Sequence, residues 1–154
     1  EVRDGNRVLK FEGELLAESS SQQPGNYRWV EFQLYRTKSG SYVLGRTGQT
    51  RLYHALDCAI VQRNHLKPTG VEFVEHDSVP CDECAPDGYL DEVAIEKPRY
   101  FALVSESPEA ILEALYKYDA AGARYLTLVA KRLIEEAIEL DPRLDRAYRI
   151  EYIL

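Results

Sequence analysis

The sequence predicts an α+β fold, and three observations carry that assignment. The first third alternates apolar and polar residues with a period of two, as half-buried antiparallel strands require. The last third places apolar residues at spacings of three and four between strand-like runs. Between them lies a less regular, acidic stretch in which thiols and an imidazole are grouped at short spacing. The expected organisation is one domain of 154 residues: an antiparallel β-meander over 1–52, a cross-linked segment over 53–97 and a β-α-α-β element over 98–154. A chain of this length can bury a core of its own.

Each element has its own signal. In Val8–Ala17, Leu9, Phe11, Gly13 and Leu15 share one face, and Lys10, Glu12 and Glu14 the other. Pro24-Gly25-Asn26 is turn chemistry. Arg28–Arg36 alternates again, with Val30, Phe32 and Leu34 opposite Trp29, Glu31, Gln33 and Tyr35. Lys38-Ser39-Gly40-Ser41 reads as a hairpin loop leading into Tyr42-Val43-Leu44. Gly45–Thr50 is expected to turn the chain, and Arg51–His54 to form a last short strand. Ala55–Gln62 then reads as a short helix, Val71–Glu75 as a strand and Pro80–Gly88 as a turn-rich knuckle.

Regular structure is expected to return at Pro98, with a strand over Tyr100–Val104. Ser107-Pro108-Glu109 is an N-cap, a first-turn proline and a first-turn acid, opening a helix with Ile111, Leu112, Leu115 and Tyr118 on its apolar stripe. Asp119–Gly122 breaks it, and a second helix carries Leu126, Ala130, Leu133, Ala137 and Leu140. Pro142 stops that run, and the alternation of Tyr148, Ile150 and Tyr152 predicts a final strand.

Composition narrows the class. The apolar runs are too short to cross a bilayer and no signal-peptide pattern is present, so the expectation is a cytoplasmic protein without membrane contact. The chain starts at Glu1 rather than Met, which leaves open whether a segment precedes it. The net charge of −7 is unevenly spread: residues 1–67 carry ten bases and seven acids, residues 68–96 nine acids and no base, and residues 97–154 nine bases and ten acids. The acidic block repels phosphate at long range and disfavours non-specific nucleic-acid binding through that surface.

Three cysteines do not make a disulfide framework; at short spacing in a reducing compartment they read as metal ligands. His54-x3-Cys58 and Cys81-x2-Cys84 are separated by 22 residues. The first spacing puts two ligands on one face of a helical turn, and the second presents two thiolates from one tight turn. Zinc prefers four tetrahedral nitrogen and sulfur ligands, so a Cys3His set predicts one structural Zn2+ with a closed coordination sphere. His65 or His76 could replace His54 as fourth ligand, although His54 has the better spacing. A redox Cys81–Cys84 pair is the competing reading; Asp82 and Glu83 between the thiols oppose it, because negative neighbours raise a thiol's pKa.

Tyr53-His54-x3-Cys58 followed by Pro80-Cys81-x2-Cys84-Ala85-Pro86 resembles the N-terminal metal-binding domain of Ada-type DNA alkylation-repair proteins. That family places a Cys-x3-Cys pair after an aromatic residue and a Pro-Cys-x2-Cys-x-Pro knuckle downstream. The resemblance covers residues 53–86 and implies a zinc site there. In the family the first cysteine of the Cys-x3-Cys pair accepts the methyl group, and His54 stands at that position here. The acidic block replaces the basic residues that would approach DNA. The resemblance therefore implies the metal site without the repair chemistry.

No nucleophile elbow, phosphate-cradling glycine loop or His-Glu-x-x-His helix is present, and Ser107 beside Glu106 reads as a helix cap. Arg36, Lys38, Arg46 and Arg51 are grouped about the hairpin and read as a solvated rim or a phosphate contact. Asp82, Glu83 and Asp87 give the knuckle an acidic surface. Most of the eleven tyrosines read as core-edge residues, and Trp29 beside Arg28 as a pair across the meander. The function expected is a non-enzymatic, zinc-stabilised module that binds a protein partner or a second copy of itself. The alternative is a DNA-associated regulatory or defence protein that uses the basic hairpin.

Overall fold

The computed structural model describes residues 1–70, 78–81, 83–84 and 92–150. In chain order its elements are β1 (Val2–Asp4), β2 (Arg7–Leu9), β3 (Gly13–Ser20), β4 (Arg28–Thr37), β5 (Tyr42–Thr50), β6 (Leu52–His54), α1 (Ala59–Asn64), β7 (Pro68–Gly70), β8 (Val79–Pro80), β9 (Glu92–Ile95), β10 (Arg99–Ser105), α2 (Pro108–Leu115), β11 (Lys117–Tyr118), β12 (Arg124–Tyr125), α3 (Leu128–Ala137) and α4 (Pro142–Arg149). The class is α+β, as the sequence predicts. Two compact units emerge, one of Glu1–Gln22, Val30–Gly48 and Arg99–Leu154, the other of Gln23–Trp29 and Gln49–Pro98.

The first unit is built on an antiparallel sheet in the order β10-β5-β4-β3. Leu34, Tyr42 and Leu44 from the sheet meet Ile111, Leu112 and Leu115 of α2, Ala130, Leu133, Ile134 and Ala137 of α3, and Leu144 of α4 in one buried core. Ile111, Leu112, Leu115, Ala130, Leu133 and Ala137 of the predicted stripes fill it, joined by Ile134, with Leu126 at its edge, whereas Tyr118 and Leu140 are exposed. Ser107 caps α2 by accepting from the Ala110 amide, and Thr127 caps α3 in the same way.

Several expectations are corrected here. Val8–Ala17 is not one strand: it divides into β2 and β3. Register between β3 and β4 shifts between Leu15 and Ala17, a bulge that resets the alternation. Leu16 and Ala17 are therefore both buried while Leu15 is exposed, the reverse of the face assigned to Leu15 by simple alternation. Gly45–Thr50 does not turn; it continues β5, whose Thr47–Tyr42 stretch pairs with Tyr100–Ser105. A side chain at Gly45 would crowd Val2, which covers that side of the sheet.

The C-terminal element is also different. Lys117–Tyr118 and Arg124–Tyr125 form a small hairpin, so Tyr118 lies on a strand rather than on the helical stripe assigned to it. Pro142 does not merely end α3; it is the first residue of α4, and Asp141 is its N-cap. The strand expected over Tyr148–Tyr152 is replaced by a helix through Arg149, because Leu144, Ala147 and Tyr148 reach the core at helical spacing. Residues 151–154 lie outside the described residues.

The second unit holds a small mixed sheet in the order β7-β9-β6-β8. β6 runs antiparallel to β9 and parallel to β8. The helix expected over Ala55–Gln62 begins later, as α1 from Ala59, so His54 on β6 and the N-cap Cys58 do not share a helical turn; His65 ends α1 in a left-handed conformation. The strand expected over Val71–Glu75 falls outside the described residues. Among the described residues the unit's apolar cluster is Cys58, Val61, Cys81 and Ala94, with Ile60, Leu66 and Cys84 packed against it. Thiol-bearing residues thus make up much of this cluster.

Candidate metal centre

The backbone brings the four residues together from three directions. His54 ends β6, and its neighbour Tyr53 pairs with Pro80 of β8. The Cys81 amide donates to the Tyr53 carbonyl at 2.9 Å, which sets the start of the knuckle beside His54. The chain then turns over Ala55–Cys58, where the Cys58 amide bonds the Ala55 carbonyl at 3.0 Å. Cys58 is the N-cap of α1, and its side chain makes no capping bond, so the sulfur is left to the site.

One nitrogen of His54 and the sulfurs of Cys58, Cys81 and Cys84 all lie within 4.8 Å of one another. His54 Nδ1 is 3.7 Å from Cys58 Sγ. A tetrahedron with Zn–S bonds of about 2.3 Å and a Zn–N bond of about 2.0 Å has edges of roughly 3.5–3.8 Å, so that edge already has the length a metal requires. His54, Cys58 and Cys81 are buried and Cys84 is half-buried. The cluster could hold a metal ion. His65 is exposed at the end of α1 and takes no part in it, whereas His76 lies outside the described residues.

The electrostatics of the group favour a cation. Burial, together with the Cys58 and Cys81 sulfurs nearby, pushes the Cys84 thiol up to about 11. A positive charge beside Cys84 would favour its thiolate form. The Ala55 amide, donating to Cys84 Sγ at 3.4 Å, is the one backbone group that works in the opposite direction.

Two residues that the spacing does not reveal complete the site. Glu96 Oε2 lies 2.9 Å from His54 Nε2. Arg28 grips the same carboxylate with both ends of its guanidinium, Nη1 on Oε1 and Nη2 on Oε2, the latter at 3.0 Å. Burial tends to raise the Glu96 carboxyl, but the bonds from Arg28 and His54 outweigh it and hold it below its ordinary value. An ionised carboxylate only accepts, so His54 carries its proton on Nε2 and turns the Nδ1 lone pair toward the sulfurs. The signal for Glu96 was a lone acid closing the apolar run Val93-Ala94-Ile95, but its meaning depends on register. His54 pairs with Ala94, so a residue two further along β9 lies diagonally across on the same face.

The residues singled out for interaction are dispersed in role. Arg36 is not a free phosphate ligand: it pairs with Glu14 and, at 2.9 Å, with the buried Asp141. Lys38 reaches Glu12 at 3.7 Å, and Arg46 lies over the Phe101 ring. Arg51 lies over the half-buried Trp29 ring at 5.1 Å. Glu83 is exposed, and Asp82 and Asp87 fall outside the described residues. No helix among the described residues is long and apolar enough to cross a membrane. Comparison with protein-family models, curated proteins and solved structures finds no match to this chain.

Proposed function

We propose that the chain is a zinc-stapled, non-enzymatic module that binds a protein partner through the acidic segment its metal site organises. The observation that carries this reading is the convergence of four nitrogen and sulfur ligand atoms within 4.8 Å, with the other His54 nitrogen committed to Glu96. Four such ligands leave no coordination position for a catalytic water, which favours a structural over a hydrolytic metal. The ion's part is to neutralise thiolate charge and tie β6, α1 and the knuckle together. Arg28 balances the charge that Glu96 adds beside it.

The likeness to the alkylation-repair zinc domain fits this reading only as a metal set, because His54 occupies the place of the methyl-accepting cysteine. A segment with nine acids and no base over residues 68–96 suits a basic partner surface and is unsuited to nucleic-acid phosphate. The pairing of Arg36 and Lys38 with acids weakens the alternative in which the hairpin binds DNA.

Affinity capture with the zinc-loaded chain tests the proposal. The expected result is a basic protein, or a second copy of the chain, retained at low salt, released by salt and lost when Glu83 and the neighbouring knuckle acids are neutralised. Salt-dependent binding to duplex or single-stranded DNA with no protein captured would overturn it.

A further inference from the structure

We propose that the cleft between α2 and α4 is a binding site for a small organic anion, a carboxylate or phosphate carried on an aromatic ring. Two helical stripes face each other across it. On α4, Arg143, Arg146 and Ala147 share one face at spacings of three and four and line the cleft, together with Ile150, the extended residue that ends the helix. On α2, Glu109, Leu112 and Glu113 repeat that spacing on the opposite wall, with Tyr116, the extended residue that ends the helix, beside them. The volume of this open cleft is about 460 Å3, within the roughly 300–1,000 Å3 of small-molecule sites.

The charges of the cleft cancel only in part, Arg124 pairing with Glu113. Glu113 already accepts from the Tyr118 hydroxyl at 2.7 Å and from Arg124 at 3.5 Å. Glu109 accepts from the Ser107 hydroxyl at 3.1 Å. On the facing wall, Arg143 donates to two neutral carbonyls, Gly40 at 3.1 Å and Glu106 at 2.8 Å, which orient its guanidinium without cancelling its charge. Arg146 is exposed and has no hydrogen-bond or ion-pair partner among the described residues. Two guanidiniums one helical turn apart, one oriented and one available, match the fork geometry of a carboxylate or phosphate.

The rest of the cleft suits a ring. Leu112 and Ala147 supply aliphatic surface, and Tyr116 and Tyr148 are half-buried in it. Arg124 lies 4.0 Å over the Tyr116 ring, so a flat cationic and aromatic stack already forms one wall. An anion without an apolar body would leave these surfaces wet, and a neutral ring would leave Arg146 unmatched. This site is independent of the metal centre.

Isothermal titration of the full zinc-loaded chain with four probes tests the inference: phenyl phosphate, benzoate, phenol and inorganic phosphate. The expected result is saturable binding of phenyl phosphate or benzoate, with phenol and inorganic phosphate at least about tenfold weaker. Stronger binding of phenyl phosphate assigns the site to phosphate esters, and stronger binding of benzoate to carboxylates. Arg146→Glu should weaken the bound anion by about tenfold or more while leaving the melting temperature unchanged. Arg146→Gln is the second variant should the first fold poorly, and Arg146→Lys should retain part of the affinity. Failure of both ring anions to saturate, equal binding of phenol or inorganic phosphate, or undiminished binding by Arg146→Glu and Arg146→Gln would each overturn the assignment.

Discussion

Glu96 accepts from His54 Nε2 at 2.9 Å, from a position 42 residues along the chain, and thereby fixes which imidazole nitrogen faces the three sulfurs. The contact makes an acid outside the four-residue cluster part of the candidate metal centre. Glu96→Gln retains a carbonyl acceptor but loses the charge that matches Arg28. Its expected effect is a loss of metal affinity on the order of 10–100-fold, the usual cost of removing a metal ligand's hydrogen-bond partner. Competition against a chromophoric chelator measures it. Unchanged affinity in Glu96→Gln and Glu96→Ala together would show that His54 needs no such support.

Metal removal should unfold the second unit selectively. Purified chain is expected to contain one equivalent of zinc by elemental analysis, and Cys81→Ser with Cys84→Ser should abolish it. Structural zinc in small peptides contributes on the order of 10–16 kcal/mol at neutral pH, far more than the few apolar residues around Cys58, Val61, Cys81 and Ala94 can supply. Hydrogen exchange before and after chelation should show protection lost in β6, α1 and β9 and kept in the core around Leu34, Leu133 and Leu144. Equal loss in both regions, or none in either, would contradict this.

Asp141 is the polar counterpart of that staple in the first unit. Its carboxylate accepts the amides of Arg143 and Leu144, the Tyr42 hydroxyl at 3.0 Å and Arg36 at 2.9 Å. Asp141→Ala removes a helix cap and leaves the buried Tyr42 hydroxyl unmatched, at a combined cost of about 2–4 kcal/mol in stability. Chemical denaturation of the metal-loaded chain reads this directly. A cost below about 0.5 kcal/mol, the scale of ordinary surface changes, would mean that water replaces these bonds.

The same residue predicts an acid-sensitive step. Burial tends to raise the Asp141 carboxyl, but its bonds from the Leu144 amide, Tyr42 and Arg36 outweigh that and hold it below its ordinary value. The unfolded chain therefore takes up this proton more readily than the folded one. The stabilisation is complete above the unfolded carboxylate pKa of about 3.9 and is lost as pH falls through the lower folded-state value. Asp141→Asn should flatten that part of the stability–pH curve for the first unit. A curve of unchanged slope would assign acid sensitivity to other groups. Burial and the hydrogen bond to Asp141 also push the Tyr42 hydroxyl up to about 12, so it remains a donor throughout this range.

Gly13 predicts a purely steric effect. A side chain at this position would run into the Arg36 carbonyl on the neighbouring strand. Gly13→Ala should destabilise by about 1–3 kcal/mol, the usual cost of overpacking. Equilibrium denaturation should show it, and a neutral result would mean that β3 and β4 can separate locally.

The residues themselves determined the fold class, the capped start of α2, most of the core stripes of α2 and α3, and the four members of the candidate metal cluster. These signals are local: periodicity, a Ser-Pro-Glu start and ligands three or four residues apart act within one or two turns of chain. Only the tertiary structure decided that Glu96 and Arg28 serve His54, because their meeting depends on strand register and on chain brought together from far apart. The bulge that buries Leu16 in place of Leu15 was likewise decided between strands, not within one. So was α4: the alternation of Tyr148 and Ile150 suits a strand, but Asp141 bonded to Tyr42 and Arg36 caps a helix, and Leu144 fills the core only in that form. Local pattern specifies which face a segment can bury; the neighbour it is buried against selects among the conformations that pattern allows.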